Sequence, residues 1–143
     1  MKAEELRIGN YVHEPSYDEC FNTYVIKQIQ TRGVSVSVLG KDIQGLYDYE
    51  DLKPIPLTEE WLLKFGLNLT DWFYENSYKI TKDKEYGWSM MVRNANHTTK
   101  IEFSYYKHVH QLQNLYFALC GEELIIDNNS SLSLVKDDKG FYI

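Results

Sequence analysis

The stretch Lys53-Pro54-Ile55-Pro56-Leu57-Thr58-Glu59-Glu60-Trp61-Leu62-Leu63-Lys64-Phe65-Gly66 divides this 143-residue chain. Two prolines one residue apart hold the backbone extended and remove two amide donors. Residues 58–66 read as a short helix. Thr58 is placed to cap it, and Glu59 and Glu60 meet the positive end of its dipole. Leu57 and Leu62 have hydrophobic-staple spacing, Lys64 falls in the last turn, and Gly66 is a stop signal.

Upstream of the prolines the pattern is β. Leu6–Val12 and Tyr24–Gln30 are expected strands. Val34, Val36 and Val38 alternate with Ser35 and Ser37, as in a half-buried strand. Thr31-Arg32-Gly33 is short enough for a hairpin loop. Ile43–Tyr49 is expected to return as a strand, with a tight helical turn after it. This order, late turn included, resembles an SH3-like barrel, a fold that hosts many functions.

Downstream, Trp72–Ile80, Gly87–Arg93 and Lys100–Tyr106 are expected to form an antiparallel meander, with Thr81–Tyr86 as a charged turn. Val109–Cys120 has helical periodicity at Val109, Leu112, Leu115, Tyr116 and Leu119, and Gly121 ends it. Its last two turns are apolar nearly all round, which marks the helix as core. Glu123–Asp127 is a further expected strand, and Leu132–Val135 with Phe141–Ile143 a last hairpin. The expected class is α+β: a small SH3-like β-barrel over residues 1–56, then an antiparallel sheet with two helices over residues 57–143.

Composition supports a folded chain: 43% of residues are hydrophobic, with 12 Tyr, 6 Phe and 3 Trp, enough to offset ordering entropy. The balance of 15 basic and 21 acidic residues, net −6, disfavours non-specific nucleic-acid binding. Residues 1–57 hold 6 basic and 9 acidic groups, whereas residues 58–107 hold 7 of each. A local basic patch is therefore confined to the middle, at Lys79, Lys82, Lys84, Arg93, Lys100 and Lys107. The opening MKAEELRIG has no apolar core of a signal peptide, and no apolar run reaches membrane-span length. A cytoplasmic location and no membrane contact are expected. Cys20 and Cys120 lie far apart, so neither a disulfide nor a zinc-type pair is expected.

Two segments, LKPIPLTEEWLLKFGL at Leu52–Leu67 and HVHQLQNLYFALCGEEL at His108–Leu124, resemble signature stretches of a family of short uncharacterised proteins. The family is frequent in Bacteroides-type bacteria, prophages and related mobile elements, and a looser likeness extends to Leu6–Val12. The resemblance implies a mobile-element or phage accessory protein acting on a partner. It carries over no activity and no site residue.

Chemistry-bearing patterns are few. The chain lacks a nucleophile elbow and a phosphate-binding glycine loop. The pairs Glu4-Glu5, Glu59-Glu60 and Glu122-Glu123 are adjacent residues, which do not face each other on a helix or in a strand. The most polar cluster is His108-Val109-His110-Gln111-Leu112-Gln113-Asn114, at a helix start where free N–H groups favour an anion. His108, His110, Gln111 and Asn114 are its candidate ligand-binding residues, for a nucleotide, another anion or a nucleic acid. The plainer reading makes them caps and bridges to neighbouring strands. A metal needs a third ligand at a recognised spacing, so no metal and no cofactor are expected.

Twelve tyrosines exceed what one small core buries with every hydroxyl paired, so several rings reach the surface. Tyr47 and Tyr49, beside Asp48, Glu50 and Asp51, are the candidate partner-binding residues. The preferred reading is a non-enzymatic binding protein acting on a protein partner, with oligomeric state open. The alternative is a small-ligand or nucleic-acid binder using the 108–114 helix start.

Overall fold

The computed structural model describes residues 1–14, 22–40, 44–67, 69, 72–73, 77–85, 87–94, 96, 100–102 and 106–126. The expected hairpin beyond residue 131 and the Cys20 region lie outside these. The protein is α+β, with two antiparallel sheets and two α-helices among the described residues. It divides into two compact units. One joins Met1–Pro56 to His108–Glu123, and the other joins Leu57–Lys107 to Leu124–Ile143.

In the first unit, strands β1 (Tyr11–Glu14), β2 (Asn22–Ile29), β3 (Gly33–Val38) and β4 (Gln44–Asp48) pair in chain order. The Val/Ser alternation of β3 works as its period-2 geometry requires: Val34 and Val36 are buried, while Ser35 and Ser37 are half-exposed. They join Leu6, Val12, Tyr24, Ile26 and Leu52 in one core, with Val38, Tyr47 and Tyr49 packed against it. Gly33 lets β4 close on β3, because a Cβ there would collide with the Tyr47 carbonyl oxygen. A 3-10 turn at Tyr49–Asp51 follows β4. Lys53 then comes back to β1, where it exchanges both backbone hydrogen bonds with His13, at 2.8 and 2.9 Å.

Over the described residues this is an open meander with one bridge to its first strand, and no closed barrel is seen. The first expected strand is also displaced. Ala3–Glu5 forms a 3-10 turn, residues 8 and 9 turn again, and β1 begins only at Tyr11.

Helix α2 (Val109–Cys120) lies in this unit, and Gly121 terminates it in a left-handed conformation. Its buried residues are Val109, His110, Leu112, Gln113 and Cys120. The apolar last turns expected to be core are instead half-buried at Leu115, Tyr116 and Leu119 and exposed at Phe117 and Ala118. Two polar side chains take buried places. Of these, Gln113 finds its hydrogen-bond partners on β1 and the segment before it.

In the second unit, α1 (Glu59–Lys64) has its expected cap, with the Trp61 N–H donating to Thr58 Oγ1 at 3.3 Å. Trp61 and Leu62 are its buried residues. The sheet is β5 (Tyr78–Asp83), β6 (Gly87–Arg93) and β7 (Lys100–Glu102). Residues 81–83, expected to open a charged turn, are strand, since Thr81, Lys82 and Asp83 pair with Ser89, Trp88 and Gly87. Glu123–Ile126 is irregular rather than a strand. Trp88, Ser89 and Met90 are buried in succession, so both faces of β6 are covered there. Ser89 remains satisfied through Thr81 Oγ1 (2.6 Å) and Glu102 Oε2 (2.7 Å). The indole N–H of Trp88 donates to the Leu57 carbonyl at 3.1 Å.

Among the described residues, no helix is long and apolar enough to cross a membrane, and no group of three or more His, Cys, Asp or Glu side chains is placed to hold a metal ion.

Candidate functional site

The side chains singled out in the sequence fall in two places on the first unit. Tyr47 and Tyr49 lie on and just after β4, and the His108–Asn114 group opens α2.

Alternation along β4 directs Gly45 and Tyr47 inward and Gln44, Leu46 and Asp48 outward. The Tyr47 ring packs on Tyr24, with centroids 5.6 Å apart, and folds over the Cα of Gly45. Tyr49 is half-buried on the same core, and its hydroxyl donates to the Gln30 carbonyl. Both rings are thereby fixed in orientation while keeping partly open surface. Leu46 stands 76% exposed, the largest exposure among the large hydrophobic residues described. Asp48, at the end of β4, and Glu50 and Asp51, in the turn after it, are all exposed. An open cavity of about 190 Å3 sits here, between Gln30, Arg32 and Val34 on one side and Leu46, Tyr47 and Asp48 on the other.

At the start of α2 the amide side chains are spent within the chain. Gln111 Oε1 accepts the His108 backbone N–H at 3.0 Å and caps the helix. The Asn114 amide donates to the Glu5 carbonyl (2.9 Å) and accepts from Asn10 Nδ2 (2.9 Å). His110 is only 2% exposed; its Nε2 is 3.6 Å from Glu5 Oε1, and its ring stacks on His108 at 5.9 Å. Its Nδ1 has no hydrogen-bond partner among the described residues. Burial, and then the neighbouring His108, hold the His110 imidazole below its ordinary pKa, while Glu5 acts in the opposite sense. The neutral imidazole is therefore favoured.

Two residues outside the candidate set organise this region. Gln113 Oε1 accepts the Tyr11 N–H at 2.8 Å, and its Nε2 donates to the Gly9 carbonyl at 3.1 Å. Its side-chain amide thus occupies the place of a peptide group from a neighbouring strand. Asn10 Oδ1 in turn accepts the Arg7 N–H at 2.7 Å. Gln113 carried a readable signal: it shares a helical row with Val109 and Tyr116, a place where an amide is conspicuous. Arg7 adds a bidentate contact with Glu123 (3.2 and 2.6 Å) and stacks over Phe117 at 3.8 Å.

Three of the central cations of the sequence, Lys79, Lys82 and Arg93, lie in the second unit on aromatic faces. Arg93 and Lys79 approach the Trp72 ring at 3.7 and 5.9 Å, and Lys82 approaches Trp88 at 5.1 Å. Buried Tyr106 has its phenol pKa raised by desolvation, and its hydroxyl finds no partner among the described residues. The thiol of Cys120 is pushed up to about 11 by burial and then by Glu122, away from reactivity.

Comparison of the chain with family models, with curated proteins and with solved structures finds no match.

Proposed function

We propose that this chain is a non-enzymatic binding protein that engages a protein partner through β4 and the Tyr49–Asp51 turn. The observation that carries the reading is Leu46, 76% exposed on the outward face of β4, with Asp48, Glu50 and Asp51 exposed at the end of that strand and the half-buried rings of Tyr47 and Tyr49 anchored on the core. An exposed apolar residue beside fixed aromatics supplies contact area at low entropic cost. The acidic surround favours a basic protein surface over a phosphate backbone. The order of β1–β4, the 3-10 turn and the return of Lys53 to His13 support an SH3-like plan for this unit. The likeness of Leu52–Leu67 and His108–Leu124 to a mobile-element family adds an accessory role in such an element.

The alternative, an anion or nucleic-acid site at the start of α2, has less in its favour. The amides of Gln111, Gln113 and Asn114 already bond within the chain.

The test is comparative capture from lysate of the source cells. Wild-type bait is set against a variant carrying Asp48→Asn, Glu50→Gln and Asp51→Asn, with folding checked by circular dichroism. A defined basic protein retained by the wild type and lost by the variant supports the reading. Equal retention by both overturns it.

A further inference from the structure

We infer that β4 is a receiving edge for an extended, lysine- or arginine-bearing segment of the partner protein, which adds to the sheet as a strand. This rests on the binding reading above and specifies its mode.

The two ends of the first sheet are treated differently. At β1, His13 exchanges both backbone hydrogen bonds with Lys53, and the Tyr11 N–H goes to Gln113. That edge is covered twice. At the other end β4 pairs with β3, and no described residue pairs along its far side. Alternate N–H and C=O groups of an edge strand point away from its neighbour and offer a ladder to an incoming chain.

Edges that avoid such pairing carry charged side chains, above all lysine, or proline or a bulge. β4 reads Gln44-Gly45-Leu46-Tyr47-Asp48: its one charge, Asp48, is at the end and is acidic, it has no lysine or proline, and its register with β3 runs without a break. Its outward side chains, Gln44, Leu46 and Asp48, lie where a strand added beyond β4 would set its own alternate side chains.

Charge selects the occupant. Asp48, Glu50 and Asp51 crowd one end of the edge, with Arg32 the cation lining the adjoining cavity. A segment with basic residues at alternate positions would meet these carboxylates. Its remaining side chains would lie against Leu46 and the cavity mouth.

The probe is a blocked heptapeptide alternating lysine with valine, titrated calorimetrically against the full chain. Its comparators are a glutamate-for-lysine version and two N-methylated versions, each blocking the donors of one backbone side. Strand addition requires that one N-methylated register bind at least tenfold more weakly than the parent, with the other nearly unchanged. Leu46→Lys, a substitution at an exposed side chain, should weaken the parent peptide by a similar factor. If the parent and both methylated peptides bind alike, strand addition is wrong while the acidic-surface reading stands. If the glutamate peptide binds equally, or nothing binds at millimolar concentration, both fail. A dimer in gel filtration that Leu46→Lys dissociates would make a second copy the occupant and overturn the inference.

Discussion

Gln113 holds Tyr11 by its backbone: the side-chain Oε1 accepts the Tyr11 N–H at 2.8 Å, while the same amide donates to Gly9. A helix side chain thereby does the work of a neighbouring strand and closes the β1 edge. Gln113→Leu keeps similar bulk but orphans two backbone groups, each costing roughly 1–3 kcal/mol when buried. Urea unfolding should show a loss of at least about 2 kcal/mol. A loss within about 0.5 kcal/mol would mean water replaces the amide without penalty.

Burial along α2 sets an order of effects. Leu112 is fully buried, so Leu112→Ala should cost roughly 2–5 kcal/mol. Leu115 and Leu119 are half-buried, and each should lose less, about 1 kcal/mol on truncation. Denaturant midpoints for the three variants give the ranking directly, and a larger loss at Leu119 than at Leu112 would reverse the assigned face.

Stability should fall in mild acid through His110. Its folded-state pKa lies below the ordinary imidazole value of 6.5, so the unfolded chain takes up the proton more readily. The contribution is complete above that value and is lost as pH drops from it through the folded pKa. The slope is at most about 1.4 kcal/mol per pH unit for one proton. His110→Gln should flatten the difference in unfolding free energy between pH 7.5 and pH 5.5. Parallel wild-type and variant profiles would assign the acid loss to carboxylates instead.

Gly33→Ala should separate β4 from β3, because the added methyl meets the Tyr47 carbonyl oxygen. A destabilisation of roughly 1–3 kcal/mol is expected by thermal melting. An unchanged melting temperature would show that the strand pair shifts to accept it.

Elements marked by local chemistry were legible in the sequence. The α1 cap at Thr58, the α2 stop at Gly121 and the β3 alternation each depend on a few neighbouring residues. Long-range pairing hid the rest. Lys82 and Asp83 resemble a turn until Trp88 and Gly87 pair with them. The polar start of α2 resembles a ligand site until Glu5, Gly9, Asn10 and Tyr11 are seen to use it. Apolar periodicity found Val109 and Leu112, but the apolar last turns pointed to core where Leu115, Tyr116 and Leu119 are only half-buried. Gln113 is buried instead, because a buried amide is stable only beside partners that its own segment does not reveal. Tyr47 and Tyr49 stand out through the supply of hydroxyls and the nearby acids, but their packing on Tyr24 and bonding to Gln30 are not visible there.

The most direct test of binding through the β4 edge is residue-resolved. Amide chemical shifts of the 15N-labelled chain are followed as the lysine–valine heptapeptide is added. Binding at this edge requires saturable shifts concentrated at Gln44–Asp51 and the facing residues Gln30–Val34. Shifts concentrated at Val109–Asn114, or none at saturating peptide, would contradict it.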